Sequence, residues 1–168
     1  MKLALVFPGQ GAQHVGMGRE FHDASHQVRE IFGRASDTLG YDMARLCFEG
    51  PEDELNQTER TQPALVTASF AAYAALKAEG VEPALVAGHS LGEYSALVAA
   101  GALGLEEALK LTELRGQFMQ NAVPKGKGKM AAILGLGREQ VDAACAACET
   151  GYVASANYNC PGQVVISG

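Results

Sequence analysis

A serine stands at a sharp corner between a predicted strand and a predicted helix. Residues 85–97 read LVAGHSLGEYSAL, which places Ser90 in the pattern G-x-S-x-G. The pattern is typical of a nucleophilic serine, because the flanking glycines permit a tight strand-to-helix turn that holds the hydroxyl above a sheet. The N–H groups at the start of the following helix can stabilise an oxyanion, as acyl transfer requires. The pattern favours Ser90 as a nucleophile over the alternative, a buried serine that only caps the helix.

Four histidines are candidates for the base or for metal ligands. His89 adjoins Ser90, but consecutive residues that leave a strand point to opposite sides, so a structural role with its ring bonded to backbone is favoured. His14 lies in a glycine-rich segment and is a further candidate near the site. His22 and His26 have the spacing of metal ligands, but no third ligand is evident, so a solvated helix face is favoured and no metal is predicted.

The glycine-rich segment GQGAQH, residues 9–14, follows the first predicted strand. The dinucleotide pattern G-x-G-x-x-G fails because its last position is His14 rather than glycine. The phosphate-loop pattern G-x-x-x-x-G-K-[ST] fails because Met17, not lysine, follows Gly16. In G-x-S-x-G enzymes the amide after the serine is joined by one from an earlier strand-to-helix loop to form the oxyanion hole. The segment is either such a loop, which requires the two strands to be neighbours, or a tight turn without further role.

Hydrophobic periodicity and turn residues predict an α/β layer domain with a parallel sheet, followed by a smaller βαββ unit. The predicted strands cover 2–7, 84–87, 130–134, 152–158 and 163–167, and the predicted helices cover 25–39, 61–79, 91–100, 105–121 and 138–148. The segment PKGKGK, residues 124–129, is interpreted as a hinge between the two parts.

Composition limits the class of protein. The chain has 168 residues, of which 48% are hydrophobic and 19% charged, as in an ordinary globular protein. A net charge of −6 argues against nucleic acid as a main partner. No segment approaches the about 20 apolar residues of a membrane span, and the first apolar run is too short for a signal peptide. We therefore expect a cytoplasmic protein with reduced cysteines; Cys145 and Cys148 form C-x-x-C, for which a packed helix face is favoured.

Five motifs occur in the order of one enzyme family. They are FPGQGAQ from Phe7, TQPAL from Thr61, GHSLGEYSAL from Gly88, LRGQFMQ from Leu114 and NYNCPGQVVISG from Asn157. Together they resemble malonyl-CoA:acyl carrier protein transacylases. The resemblance implies that Ser90 is the nucleophile, that the backbone amides of Gln10 and Leu91 form the oxyanion hole, and that Arg115 binds the malonyl carboxylate. It implies malonyl-CoA and acyl carrier protein as partners, a role in fatty-acid biosynthesis, and no cofactor.

The resemblance also implies a fold class: an α/β-hydrolase-like parallel-sheet domain with a smaller ferredoxin-like subdomain, both incomplete in this chain. The expected domains are 1–124, the N-terminal part of the large domain, and 125–168, a linker and the first part of the small one. The family's catalytic histidine is expected after Gly168, so residues 1–168 alone are expected to be inactive. For the segment PKGKGK a hinge is favoured. The alternative is that its lysines attract the phosphates of coenzyme A or the acidic surface of a carrier protein.

Two alternative functions stay open from the sequence. A serine hydrolase or thioesterase would share the serine corner and use water as its acceptor. An inactive binding module would lack the histidine altogether.

Overall fold

A computed structural model describes residues 2–123 and 126–168 of the chain. The described residues form eight helices and five strands, and they divide into two compact units, Met1–Gln120 and Asn121–Gly168. The domain boundary expected between residues 124 and 125 stays a prediction. Pro124 and Lys125 of the predicted hinge lie outside the described residues, and Gly126–Lys129 are exposed.

The first unit contains one two-stranded sheet, and helices follow each of its strands along the chain. In chain order it contains β1 (Ala4–Phe7), α1 (Arg19–Ala24), α2 (His26–Leu39), α3 (Met43–Glu49), α4 (Glu52–Leu55), α5 (Thr58–Ala78), β2 (Leu85–Gly88), α6 (Gly92–Ala99) and α7 (Leu105–Ala122), which ends just beyond the unit boundary.

The strands β1 and β2 pair in parallel, as predicted. Ala4 lies opposite Leu85 and Phe7 opposite Gly88. Because parallel strands run in the same direction, both strands end at the same edge of the sheet. The segments that follow them, the glycine-rich segment and the Ser90 corner, therefore leave the sheet side by side.

The core of the first unit is built by amphipathic helices with clear end signals. The N-cap Ser25 accepts a hydrogen bond from the Val28 amide, and Gly40 ends α2 in a left-handed conformation. The α2 helix buries Val28, Ile31, Phe32 and Ala35, and α5 packs against both α2 and α6. The largest fully buried apolar side chains of this unit are Phe32, Met43, Leu46, Leu55, Leu91, Leu109, Val28 and Val66.

The helix predicted over 61–79 begins earlier than the proline suggested. In the structure α5 begins at Thr58, and the Thr61 amide already donates to the Gln57 carbonyl at 2.7 Å. Pro63 is therefore inside the helix rather than in its first turn. Because proline lacks an N–H, its position removes the hydrogen bond to the Glu59 carbonyl one turn before it. The earlier start is important because it brings Thr58 and Glu59 into the helix that faces the site.

The second unit is an antiparallel sheet with one helix. It contains β3 (Met130–Leu134), α8 (Arg138–Ala146), β4 (Ala154–Cys160) and β5 (Gln163–Ser167), in the strand order β3-β5-β4. The strand predicted over 152–158 is shifted, because a two-residue turn at 161–162 pairs Cys160 with Gln163. The Asp142 carboxylate of α8 accepts hydrogen bonds from Ser155 and Tyr158, which fastens the helix to β4.

Within residues 2–123 and 126–168, no helix combines the length and the apolar character that crossing a membrane would require.

Candidate active site

Ser90 lies at the point where the chain turns from β2 into α6. Its φ is 53°, in the left-handed region that side chains other than glycine rarely adopt. The His89 amide still donates to the Phe7 carbonyl at 3.1 Å, which continues the strand pairing up to the residue before the serine. Leu91 then begins the helical conformation, and its fully buried side chain lies in the core. The corner thus presents an exposed serine between two anchored residues.

Two glycines make this corner possible. A Cβ at Gly88 would overlap the carbonyl group of Gly92, and a Cβ at Gly92 would overlap the carbonyl oxygen of Phe7. The start of α6 therefore lies directly against the end of β1. The glycines of G-x-S-x-G are required here because backbone contacts backbone at both positions.

The glycine-rich segment passes close to the same corner. A Cβ at Gly9 would lie 2.8 Å from the His89 carbonyl oxygen, so this segment packs against the residue before Ser90. Gln10 follows immediately, and its side chain donates to the Thr58 hydroxyl at 3.4 Å. The predicted site residues Gln10 and Leu91 thus follow neighbouring strands at the same edge of the sheet.

Arg115 and Ser90 are in direct contact. One Nη nitrogen of Arg115 donates to the Ser90 hydroxyl oxygen at 3.1 Å, and the other donates to the Gln62 Oε1 at 2.6 Å. Gln62 is fully buried in α5, and its Nε2 lies 3.3 Å from the Met119 sulfur. Sequence reasoning did not single out Gln62. Its only signal was a polar residue within the TQPAL motif, in a helix that is otherwise buried at that point.

A close contact between α5 and α7 brings Arg115 to the serine. A Cβ at Gly116 would lie 2.5 Å from the Glu59 Cα, so the two helix backbones touch next to Arg115. Arg60 and Glu113 form an ion pair across the same contact, with a nitrogen-to-oxygen distance of 3.5 Å. Gly116 therefore sets the approach of the helix that carries the arginine.

The histidines at positions 14, 22 and 26 contact groups other than the Ser90 hydroxyl. His14 is exposed, with its Nδ1 3.5 Å from the Ala12 carbonyl oxygen of its own loop. The expectation that His22 lies on a solvated face is wrong, because its ring packs edge-on against Phe32 and Phe48. His26 is exposed and faces Glu30. In the hydrogen bonds of residues 2–123 and 126–168, the Ser90 hydroxyl is joined to Arg115 and to no histidine.

The four cysteines differ in their exposure to solvent. Cys47 is buried, and this burial raises the pKa of its thiol to about 12, which keeps it protonated. In the second unit Cys145 is half-buried in α8, whereas Cys148 follows the end of this helix and is exposed, so the expected packed helix face is wrong for Cys148. Cys160 is also exposed. Among the described residues, no group of three histidine, cysteine or acidic side chains is placed to hold a metal ion.

The family model described as "acyl transferase domain" matches residues 4–168. The chain belongs to the acyl transferase domain family.

Within this family, the similar proteins include malonyl transferases. The malonyl CoA-acyl carrier protein transacylase of Haemophilus influenzae is 54% identical, over 99% of this chain and 54% of its own length. The solved acyl-carrier-protein S-malonyltransferase of Burkholderia pseudomallei is 55% identical with a TM-score of 0.91, covering all of this chain and 55% of that one. The resemblance found from the motifs is thereby confirmed.

A second solved structure shows a relative together with a carrier protein. It is a type II polyketide acyl-carrier protein in complex with its malonyl-transacylase, and it matches with a TM-score of 0.92 and 49% identity over 55% of the matched chain. The present chain spans about half the length of the curated relatives it matches.

Proposed function

We propose that this chain supplies the nucleophile and the acyl-binding arginine of a malonyl-CoA:acyl carrier protein transacylase of fatty-acid biosynthesis. The observation that carries the proposal is the 3.1 Å contact between the Ser90 hydroxyl and the Arg115 guanidinium, at a strained strand-to-helix corner. A nucleophile beside a cation suits an acyl group that bears its own carboxylate.

In the first half-reaction, the Ser90 oxygen attacks the thioester carbonyl carbon of malonyl-CoA and gives its proton to a base. The resulting tetrahedral intermediate carries an oxyanion. When it collapses, the carbon–sulfur bond breaks, the base returns the proton to the departing sulfur, coenzyme A leaves as the thiol, and malonyl remains esterified to Ser90. In the second half-reaction the carrier protein's thiol gives its proton to the base and its sulfur attacks the ester carbonyl carbon. The bond from this carbon to the Ser90 oxygen then breaks and the oxygen takes the proton back, which predicts ping-pong kinetics.

The amides of Gln10 and Leu91 are proposed to hold the oxyanion. The amides of Gly92, Glu93 and Tyr94 donate to the carbonyls of residues 89–91. Within the described part of the chain, neither the Leu91 amide nor the Gln10 amide is engaged in this way. Both follow strands that end at one sheet edge, so the two donors are available on the side where Ser90 is exposed.

Arg115 is proposed to bind the free carboxylate of the malonyl group. A guanidinium can hold a carboxylate through two parallel hydrogen bonds. Gln62 already fixes one end of this guanidinium, so the acyl carboxylate would replace the contact with the Ser90 hydroxyl as the serine reacts. Acetyl has no carboxylate, so it would leave the arginine unpaired and bind less well.

We assign the parallel β1–β2 pair and its helices to an α/β-hydrolase-like large domain, residues 1–124, and the antiparallel β3-β5-β4 sheet with α8 to a ferredoxin-like subdomain, residues 125–168. Acyl carrier protein is the proposed acceptor, because the matched relatives include malonyl CoA-acyl carrier protein transacylases and one complex with a carrier protein.

Covalent labelling tests the proposal, in the longest native polypeptide that carries this sequence. After mixing with malonyl-CoA and rapid acid quench, mass spectrometry should find one malonyl group, on the peptide that contains Ser90. The Ser90→Ala variant should show no adduct, because the attacking oxygen is gone. An equal adduct on Ser90→Ala would remove Ser90 from the reaction.

The acceptor distinguishes the transacylase from the alternative hydrolase or thioesterase. We expect little free malonate without carrier protein and rapid malonyl transfer once the carrier is added. Release of malonate at the same rate with and without carrier would favour the hydrolase. A polypeptide limited to residues 1–168 should turn over negligibly, because no histidine side chain of the described residues is hydrogen-bonded to Ser90.

A further inference from the structure

A side-chain amide links the glycine-rich segment to the start of α5. The Gly11 amide donates to the Gln13 Oε1 at 2.8 Å, and the Gln13 Nε2 donates to the Asn56 Oδ1 at 2.8 Å. Asn56 is the C-cap of α4, two residues before α5 begins. Gln13 therefore spans from its own loop to a residue 43 positions away in the sequence.

Gln10 lies between two fixed points of this loop. On one side, Gly9 packs against the His89 carbonyl oxygen. On the other side, the Gly11 amide donates to the side-chain amide of Gln13. The φ of Gly11 is 109°, a conformation that residues other than glycine rarely adopt, and glycine by itself restricts the backbone little. The link from Gln13 to Asn56 thus ties the outer side of the loop to the helical part of the unit, in addition to the hydrogen bond from the Gln10 side chain to Thr58.

We propose that Gln13 and Asn56 are positioning residues, which hold the loop so that the Gln10 amide faces the oxyanion formed at Ser90. The inference rests on the proposed function. In the hydrogen bonds of the described residues, neither side chain is joined to Ser90; they act through the backbone of Gly11 and Gln10. Asn56 also precedes Gln62 along the same segment, so one stretch of chain supports both the oxyanion side and the arginine side of the site.

The proposal predicts a specific kinetic signature. The oxyanion is absent from the bound substrate and develops only in the transition states and in the tetrahedral intermediate between them. A loosened loop should therefore lower kcat and leave substrate binding unchanged. We expect Gln13→Met and Asn56→Leu each to lower kcat about tenfold, since a small misplacement of a catalytic group has effects of this order. The KM for malonyl-CoA and the preference for malonyl over acetyl should stay within about twofold of the parent.

A conservative variant and a double variant separate the link from a general structural role. Asn56→Asp has nearly the same size as Asn56→Leu and keeps an acceptor for the Gln13 Nε2, so it should retain most of kcat. The double variant Gln13→Met/Asn56→Leu should be no slower than either single variant, because both remove the same link. Equal losses for Asn56→Asp and Asn56→Leu, or multiplied losses in the double variant, would overturn the proposal.

The second unit offers a matched control. Asn159 donates from its side-chain amide to Gln163 at 2.9 Å, which is another exposed pair of these two residue types. Asn159→Leu should leave kcat unchanged. A loss equal to that of Asn56→Leu would overturn the proposal, because removing any such surface pair would then have this effect.

Amide hydrogen exchange tests the link without relying on activity. By NMR, the Gly11 amide should exchange slowly in the parent and in Asn56→Asp, and about tenfold faster in Asn56→Leu, because protection follows the opening of the hydrogen bond. Unchanged exchange in Asn56→Leu would overturn the positioning role even if kcat fell. Faster exchange with kcat unchanged would overturn it as well, whereas failure of Ser90→Ala to abolish labelling would instead reject the proposed function.

Discussion

The Ser90 corner and the α5–α7 contact place two neighbouring side chains by different means. At the corner, the carbonyl groups of Phe7 and Gly92 lie against glycines, so the direction of Ser90 is set by the course of the backbone. At the helix contact, the backbone only brings α7 close, and the buried Gln62 side chain orients Arg115. Replacing the corner glycines should therefore destabilise the fold most, whereas changes at the contact should mainly alter which acyl group is accepted.

The largest effect is expected from Gly92→Ala. The new Cβ would overlap the Phe7 carbonyl oxygen, and relief requires moving β1 relative to α6. We expect the free energy of unfolding to fall by about 3 kcal/mol, as for severe overpacking. Urea unfolding followed by circular dichroism measures it.

Gly33→Ala is the matched control for this variant. Gly33 lies inside α2, and a Cβ there would meet nothing within 4 Å. Since alanine favours helix over glycine, this variant should gain about 0.5 kcal/mol. If both variants unfolded at the same urea concentration, the corner would not be fixed by backbone contact.

A smaller effect on stability is expected from Gly116→Ala. Its Cβ would lie 2.5 Å from the Glu59 Cα, but α5 and α7 can separate slightly without breaking the sheet. We expect a loss of about 1.5 kcal/mol in the free energy of unfolding. Because Arg115 moves with α7, the ratio of kcat/KM for malonyl-CoA to that for acetyl-CoA should fall while Ser90 still accepts acyl groups. An unchanged ratio would show that Arg115 does not depend on this approach.

Gln62→Glu should change acyl selectivity with less effect on the fold. A carboxylate at this position would pair with Arg115 and compete with the malonyl carboxylate. We expect kcat/KM for malonyl-CoA to fall about tenfold, as for loss of one charged contact, while acetyl transfer is retained. The Arg115→Ala variant removes the guanidinium altogether, so its fall in kcat/KM for malonyl-CoA should be the largest that loss of this contact can cause.

Thr67→Val is the control for Gln62→Glu. Thr67 is another buried polar residue of α5, and its hydroxyl donates to the Pro63 carbonyl within the helix at 2.8 Å. Its acyl selectivity should equal that of the parent. If Thr67→Val and Gln62→Glu shifted selectivity alike, helix distortion rather than the contact with Arg115 would be the cause.

The smallest effect is expected at the start of α7. Arg34 donates to Glu106 at 2.7 Å. This hydrogen bond is the largest of the effects that lower the pKa of Glu106 below its ordinary value of 4.5. A lowered pKa in the folded state adds stability that is complete above the ordinary value and is lost as the pH falls through the folded pKa. Both side chains are about half exposed, so solvent screens the pair. The Glu106→Gln variant should therefore lose only about 0.5 kcal/mol of unfolding free energy at neutral pH.

The pH dependence of urea unfolding checks this prediction. The difference between Glu106→Gln and the parent should shrink as the pH falls through the folded pKa of Glu106. A difference that stayed constant at acidic pH would mean that the ion pair does not contribute to holding α7.

The same comparison explains what could be predicted from the sequence. The corner was predicted because its determinants are local: a strand, two glycines and a helix within a dozen residues. The α2 helix was predicted for the same reason, since Ser25 and Gly40 mark its ends. The contact between Gln62 and Arg115 joins residues 53 apart, and no local pattern reports it. Arg115 was proposed only through the motif resemblance, and Gln62 was missed.

The start of α5 was mispredicted for a related reason. Proline commonly marks the first turn of a helix, but the packing of Thr58 and Glu59 against neighbouring segments extends α5 by three residues. Tertiary contacts thus determined where α5 begins, whereas local propensity had suggested a start three residues later. Gln13 and Asn56 belong to the same class of non-local features.

The left-handed conformation of Ser90, with its φ of 53°, has a consequence for how this chain can evolve. Holding a serine in that region costs about 1 kcal/mol that glycine would not incur. Random substitution followed by selection for heat resistance alone should therefore enrich glycine at position 90. Such a screen would discard the hydroxyl first, so thermostable libraries of this chain need a simultaneous assay of acyl transfer.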